Sequence, residues 1–120
     1  LELIRELGEW WKSETSLPIP LGGIIAKREL GIDLIKDFNQ AITDSVLWAK
    51  DNLDDPDFLK FIHQHAQEIE ADVLKSHIKT YVNEESIELS EDAVKAVEKL
   101  FQIAEEKGII PPCEKTLFID

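Results

Sequence analysis

The sequence predicts a mainly α-helical chain with about five helices and one short strand, and three observations support this fold class. Most apolar residues recur at three- and four-residue steps, the spacing that places them on one face of an α-helix. Two prolines, two adjacent glycines and two adjacent isoleucines interrupt this period in one stretch, LPIPLGGIIAK (17–27). This is the one convincing strand signal, because β-branched residues follow helix-breaking residues there.

The first predicted helix ends near Thr15, and its apolar stripe is Leu3, Ile4, Leu7, Trp10 and Trp11. Pro18 and Pro20 prevent its continuation, and Ile24-Ile25 after Gly22-Gly23 suits a short buried strand. A single strand cannot satisfy its own backbone hydrogen-bonding groups. The partner strand must therefore come from outside this sequence, which indicates that the chain is one part of a larger protein.

The second predicted helix runs from Ile32 to about Asn52, on the stripe Ile35, Phe38, Ile42, Val46 and Ala49. The third begins after Asp55, which can cap it, with Pro56 where a missing N–H does no harm. Its inward side chains are Phe58, Leu59 and Ile62.

The fourth predicted helix carries the stripe Ile69, Val73, Leu74, Ile78 and Tyr81 and breaks around Asn83. Ser90 caps the fifth, and Gly108 followed by Pro111-Pro112 ends it. The stripe of this last helix is Ala93, Val94, Val97, Leu100, Phe101 and Ala104.

Composition limits the classes of function. The chain has 120 residues, a usual length for one domain, and 25 acidic against 13 basic residues give a net charge of -12. Phosphate backbones and anionic lipid surfaces repel so acidic a chain, so we expect neither a nucleic-acid nor a membrane partner. Cys113 is the single cysteine, which excludes an intrachain disulfide and favours a reducing, cytoplasmic location.

The polar residues form no recognisable metal or catalytic motif. His63 and His65 are two residues apart, so on a helix they point about 200° away from each other and cannot share an ion. Cys113 lies far in sequence from the histidines and is interpreted as an inert thiol. Trp10, Trp11 and Trp48 are assigned to core packing because they lie on apolar stripes. We predict no metal site.

The LPIPLGG segment allows two interpretations from its pattern. Proline fixes φ, whereas glycine removes the side chain, so this backbone is rigid at one end and open to close approach at the other. The glycines could admit a packing helix, or they could line a ligand cleft. The pattern favours neither.

Three segments carry a resemblance to a known family: LGEWWKSETSLPIPLGGIIAKREL, FIHQHAQEI and HIKTYVNEESIEL. They resemble the C-terminal half of the 1,4-dihydroxy-6-naphthoate synthases, which cleave cyclic dehypoxanthinyl futalosine in the futalosine route to menaquinone. The resemblance covers nearly the whole chain, and the run from LGEWW to LPIPLGG is its most specific part.

The resemblance implies that the chain belongs to a two-lobe α/β fold similar to periplasmic binding proteins (type II). Residues 1–16 would then be the last helix of the smaller lobe, residues 17–29 the hinge strand, and residues 30–120 the helical part of the larger lobe. The substrate cleft would be bordered by Pro20, Leu21, Gly22 and Gly23.

The implied activity is that of a carbon–carbon lyase that needs no metal or organic cofactor. The family's proposed base is a histidine in an upstream His-Glu-Gly-type motif that this chain does not contain, so no residue here is assigned a catalytic role. The expected partners are a small-molecule substrate and the missing N-terminal half, and this segment alone is expected to be inactive and to self-associate.

Two other functions stay open at this point. A solute-binding protein of the same fold would share these features, and a secretion signal on the intact gene would favour it. A helical interaction domain is disfavoured, because no segment recurs at a repeat period of about 30 to 45 residues.

Overall fold

The computed structural model describes residues 4–66 and 70–119. The α-helices in these ranges are α1 (Leu7–Thr15), α2 (Ile32–Asp51), α3 (Pro56–His65), α4 (Ala71–Tyr81) and α5 (Glu91–Glu106). Short 3-10 turns occupy Arg28–Leu30 and Glu84–Ser86. The prediction of five helices is confirmed, whereas Leu3 and Ile69, which were assigned to the first and fourth stripes, lie outside the described residues.

The chain divides into two units. One consists of the described parts of residues 1–27 and 89–120, and it contains α1 and α5. The other consists of the described parts of residues 28–88, and it contains α2, α3 and α4. None of the helices in residues 4–66 and 70–119 is both long and apolar enough to cross a membrane.

The helix ends follow the predicted capping residues. Asp55 accepts hydrogen bonds from the backbone N–H groups two and three residues after it, at 2.8 and 2.9 Å, and starts α3. Ser90 Oγ accepts one from the N–H of Ala93 at 3.1 Å and starts α5. Gly108 adopts φ 68° just after α5, a left-handed conformation that glycine takes without a Cβ clash. These ends are set by local hydrogen bonds, which is why the sequence predicts them.

The predicted strand does not form within the described part of this chain. Residues 17–27 form neither helix nor strand, and the described part of the chain contains no strand that could pair with them. Ile24 and Ile25, predicted to be buried, are 74% and 94% exposed. The physical reason is that a strand forms only when its N–H and C=O groups bond to a neighbouring strand.

In the unit of α2, α3 and α4, the most buried side chain is Leu74 of α4, at 6% exposure. The α2 side chains half-buried in this unit include Ile35, Ile42, Val46 and Ala49. Trp48 of α2 meets Phe58 of α3 edge to face, with ring centroids 5.0 Å apart. Thr43 Oγ1 donates to the carbonyl of Ile87 at 3.2 Å, which connects α2 to the turn after α4.

Two ion pairs link elements of the same unit. Lys50 of α2 lies 2.6 Å from the carboxylate of Glu84, and Lys75 of α4 lies 2.6 Å from that of Asp54. The hydrogen bond from Lys75, together with its charge, holds the pKa of Asp54 below its ordinary value. Because both carboxylates are exposed to water, such pairs contribute little to stability.

In the unit of α1 and α5, Ala96 is the most buried residue, at 1% exposure. The segment after α5 is connected back to that helix by hydrogen bonds that include Cys113 N–H to Glu105 Oε1 at 3.0 Å and Ile109 N–H to the Ala104 carbonyl at 2.9 Å. The Cys113 thiol is exposed and lies 3.6 Å from the carbonyl of Lys115.

Large apolar side chains are exposed in both units. Of the described residues, the buried ones are Trp11, Leu74 and Ala96, and none of these lies on α2. On α2 the side chains of Leu34, Phe38 and Trp48 are each more than half exposed, and their spacing puts them on one face. A face of this kind is typical of a surface that another part of a protein covers.

We predict that the chain alone self-associates, because contact between copies removes these apolar faces from water. Light scattering of the purified chain should show a mass that rises with concentration, together with binding of an apolar dye. Leu34→Gln combined with Phe38→Gln should shift the chain towards monomer, whereas Asp37→Gln, a change on the same helix, should not. A monomer at every concentration, without dye binding, would contradict the prediction.

Candidate functional site

Helix α1 leads into the predicted cleft segment and is capped by its own sequence. Glu6 is the N-cap residue, and its carboxylate accepts hydrogen bonds from the backbone N–H groups of Gly8 at 2.9 Å and Glu9 at 2.5 Å. The bonds from Gly8 and then Glu9 hold the pKa of Glu6 below its ordinary value, since they favour the ionised carboxylate. Ser16 ends α1 with φ 61°, a left-handed turn that reverses the chain direction.

After this turn a side-chain hydrogen bond connects the chain back to α1. The indole Nε1–H of Trp11 donates to the carbonyl oxygen of Pro18 at 2.9 Å, and Trp11 is 5% exposed. Thr15 Oγ1 accepts from the N–H of Leu17 at 3.2 Å and donates to the carbonyl of Trp11 at 2.8 Å. We call these contacts, from Trp11 and Thr15 to Leu17 and Pro18, the α1 tether.

Ile19 lies against the first turn of α1. A Cβ atom added to Gly8 would lie 3.6 Å from Cγ2 of Ile19 and 3.2 Å from Oε2 of Glu6. The absence of a side chain at Gly8 therefore leaves room for the capping carboxylate, and Ile19 lies at ordinary contact distance from the same position. Together with the α1 tether, this contact makes residues 17–19 follow α1 backwards.

The four predicted cleft residues come directly after these contacts. Pro20 is half-buried, whereas Leu21 is 77% exposed. No atom lies within 4 Å of a Cβ added to Gly22 or Gly23, and neither has the positive φ that only glycine favours. The helices in the described part of this chain therefore do not need glycine at these positions, and any requirement for glycine must come from a ligand or from chain outside this sequence.

The three histidines lie on helices, each far from the cleft segment in sequence. The ring of His65, in α3, contacts that of Phe61 with centroids 4.9 Å apart, and the ring of His77, in α4, lies 4.6 Å from that of Tyr81. His63 is also in α3 and is half-buried. In residues 4–66 and 70–119, no three His, Cys, Asp or Glu side chains are grouped closely enough to hold a metal ion.

A shallow depression occurs between α2 and α3. It is lined by Ser45, Trp48, Ala49, Asp55, Asp57, Phe58 and Phe61. Its aromatic side chains are largely exposed, with Trp48 at 56% and Phe61 at 59%. The described residues that line it include no histidine or cysteine, and its titratable side chains are the carboxylates of Asp55 and Asp57.

Comparison with known proteins identifies the family. A family model described as menaquinone biosynthesis matches residues 1–106, which include α1, the α1 tether and the cleft segment. This chain belongs to the menaquinone biosynthesis family. Members of the family to which it is similar are 1,4-dihydroxy-6-naphthoate synthases of Thermus thermophilus and Streptomyces coelicolor.

The similarity extends along almost all of this chain but along less than half of either relative. The chain is 39% identical to the Thermus protein over 116 residues, which are 97% of this chain and 42% of that protein. It is 38% identical to the Streptomyces protein over 112 residues, which are 92% of this chain and 39% of that protein. The chain thus spans about two fifths of the length of these relatives in the menaquinone biosynthesis family, as expected for the predicted C-terminal portion.

Sequence reasoning missed the α1 tether. It assigned all three tryptophans to core packing, yet only Trp11 is buried, while Trp10 is 39% and Trp48 56% exposed. Two features of the sequence indicated this bond. A buried indole N–H needs a hydrogen-bond acceptor, and a segment with two prolines has more backbone carbonyl acceptors than N–H donors. That such a segment follows Trp11 within seven residues could have suggested the bond.

The cap of α1 gives a prediction for pH. Because the pKa of Glu6 is lowered in the folded helix, its contribution to helix stability is present above the unfolded pKa of about 4.3 and is lost as pH falls through the folded value. NMR titration of the chain should show Glu6 ionising below the ordinary glutamate range, with α1 amide shifts following the same curve. In Glu6→Gln this titration of the α1 amides should disappear; an unchanged curve in the variant would contradict the capping role.

Proposed function

We propose that this chain is the C-terminal segment of a lyase that cleaves cyclic dehypoxanthinyl futalosine to 1,4-dihydroxy-6-naphthoate in menaquinone biosynthesis. The observation that carries the proposal is the similarity to two 1,4-dihydroxy-6-naphthoate synthases over more than nine tenths of this chain. The family match supports the same pathway. The cleavage of a carbon–carbon bond follows from the resemblance described above and is part of the proposal.

The proposed architecture is the two-lobe fold expected from the resemblance. Residues 1–16 end the smaller lobe, residues 17–29 cross between the lobes, and residues 30–120 clad the larger one. The exposure of Ile24 and Ile25 supports this arrangement, since two adjacent β-branched residues are well suited to a strand that the remaining chain completes. The two-fifths length of the chain supports it too, because the rest of the protein is then long enough to supply the partner strands.

In this proposal Pro20, Leu21, Gly22 and Gly23 border the substrate cleft. The open space beside both glycines supports the role, because it lets a ligand approach the backbone where no described side chain intervenes. The chain contributes binding and orientation of a small-molecule substrate, and the base that starts cleavage lies in the part of the protein outside this sequence. The proposed enzyme acts in the cytoplasm without a metal or an organic cofactor.

The test is turnover by the intact protein, with Gly23→Val as the diagnostic variant. We expect the unmodified protein to convert cyclic dehypoxanthinyl futalosine to 1,4-dihydroxy-6-naphthoate, and this 120-residue chain alone to be inactive. Valine at position 23 adds a branched side chain where close approach is needed, and a displacement of about 1 Å can lower the rate by about 10²-fold. Turnover is measured by chromatography, and the melting temperature is measured on the same samples.

Glu114→Val is the control, because it puts the same side chain into another exposed segment without regular structure. It should leave both turnover and melting temperature near those of the unmodified protein. A Gly23→Val protein that melts earlier but turns over normally when folded would reject the cleft role. Binding of the substrate without conversion would reject the lyase and favour a solute-binding protein.

A further inference from the structure

We propose that Trp11 is a positioning residue for the substrate-binding segment, acting through its hydrogen bond to the Pro18 carbonyl rather than by touching substrate. This inference rests on the proposed function, since it takes Pro20–Gly23 to be the part of this chain that meets the substrate. It assigns a role in the reaction to the side chain that sequence reasoning assigned only to packing.

In the segment after α1, the two prolines can form backbone hydrogen bonds only through their carbonyl oxygens. Pro18 and Pro20 have no backbone N–H, so neither can donate to a neighbouring strand or to α1. Their carbonyls remain as acceptors, and an acceptor needs a donor fixed elsewhere. Trp11 supplies it from a helix: its N–H is the only donor of the side chain, and with 5% exposure the ring cannot readily turn away.

The other contacts of the segment fix its direction. The Thr15 hydroxyl accepts from the N–H of Leu17 at 3.2 Å, and the side chain of Ile19 lies beside the first turn of α1, near Gly8. The backbone is thus held by hydrogen bonds at residues 17 and 18 before it reaches Pro20. Leu21 is 77% exposed and the space beside Gly22 is open, so in the described part of the chain these upstream contacts set where Pro20–Gly23 lie.

If the Pro18 carbonyl loses its hydrogen bond to Trp11, the residues that follow Pro18 are displaced. Pro18 and Pro20 restrict φ, so the segment moves as a stiff piece and a shift at Pro18 is transmitted to Gly22 and Gly23. The bound substrate is then less well oriented for proton removal, which lowers kcat, and its binding surface is less well formed, which raises KM. We expect a loss in kcat/KM of about 10-fold, a modest fraction of what a displacement of about 1 Å can cost.

The first experiment compares Trp11→Phe with Trp10→Phe in the intact protein. Phenylalanine keeps an aromatic ring at position 11 but removes the N–H donor. The Trp10→Phe variant makes the same chemical change one residue away, on a side chain that is 39% rather than 5% exposed. We expect kcat/KM per folded molecule to fall about 10-fold in Trp11→Phe and to stay within about twofold in Trp10→Phe. A lower melting temperature with unchanged kcat/KM in Trp11→Phe would overturn the proposal, because it would leave Trp11 with packing alone.

Thr15 provides a second pair of variants that leaves Trp11 intact. Thr15→Val keeps the shape of the side chain but removes the hydroxyl that accepts from Leu17, whereas Thr15→Ser retains it. We expect kcat/KM to fall in Thr15→Val and to be restored in Thr15→Ser. Equal activity in the two variants would contradict a role for the α1 tether in positioning. This test does not depend on whether Trp11→Phe folds.

Amide hydrogen exchange separates failure of this inference from failure of the proposed function. Exchange in peptides covering residues 17–27 should be faster in Trp11→Phe than in Trp10→Phe, whatever the substrate of the protein is. If the unmodified protein has no turnover but exchange differs as expected, the proposed function fails and the tether stands. If exchange is equal in the two variants, the tether does not hold the segment and the inference fails.

Discussion

Each helix of this chain has an apolar face, and the two units cover those faces only in part. The free energy of folding of a small domain comes mainly from removing apolar surface from water, so an uncovered face both weakens the fold and invites association. On α2 the uncovered face includes Leu34, Phe38 and Trp48, and it adjoins the stripe that is half-buried within its own unit. So wide an apolar surface on one helix is typical of the interior of a larger protein. The two-fifths coverage of the relatives agrees with this conclusion.

The same constraint explains how residues 17–27 behave. Inside a regular helix the backbone N–H and C=O groups bond to one another, so α1 to α5 need no neighbouring segment to satisfy them except at their ends. In an extended segment each N–H and C=O group needs a hydrogen-bond partner from another segment, and the described part of this chain contains no strand that could supply these partners. Near α1 the segment takes its bonds from side chains instead, through Trp11 and Thr15. Beyond Pro20 it is exposed, which is the state expected of a segment whose partners are elsewhere.

The sequence predicted what local interactions determine. Asp55, Ser90 and Gly108 mark helix ends because a capping oxygen or a left-handed φ acts within a few residues. It did not predict which apolar residues would be covered, since that depends on neighbours distant in sequence or absent from it. Trp11 and Trp48 look alike on their predicted stripes, yet one is 5% and the other 56% exposed.

The candidate site shows the same division between local and distant information. Pro20 to Gly23 could be singled out from residue type alone, because two prolines and two glycines change the backbone whatever surrounds them. The α1 tether is harder to predict, because a hydrogen bond over seven residues depends on the turn at Ser16 as well as on Trp11. Neither source of information identifies a catalytic base in this chain, and the proposed function assigns that base to sequence outside it.

The central claim is that the exposed face of α2 is an interior surface of the longer protein. Amide hydrogen exchange of the α2 peptides, measured in the isolated chain at low concentration and in the intact protein, tests it most directly. Exchange in α2 is expected to be slower by about 100-fold or more in the intact protein, because covering its exposed apolar face raises the free energy of local opening. Equal exchange rates in the two samples would show that nothing further packs on α2, and would contradict the account.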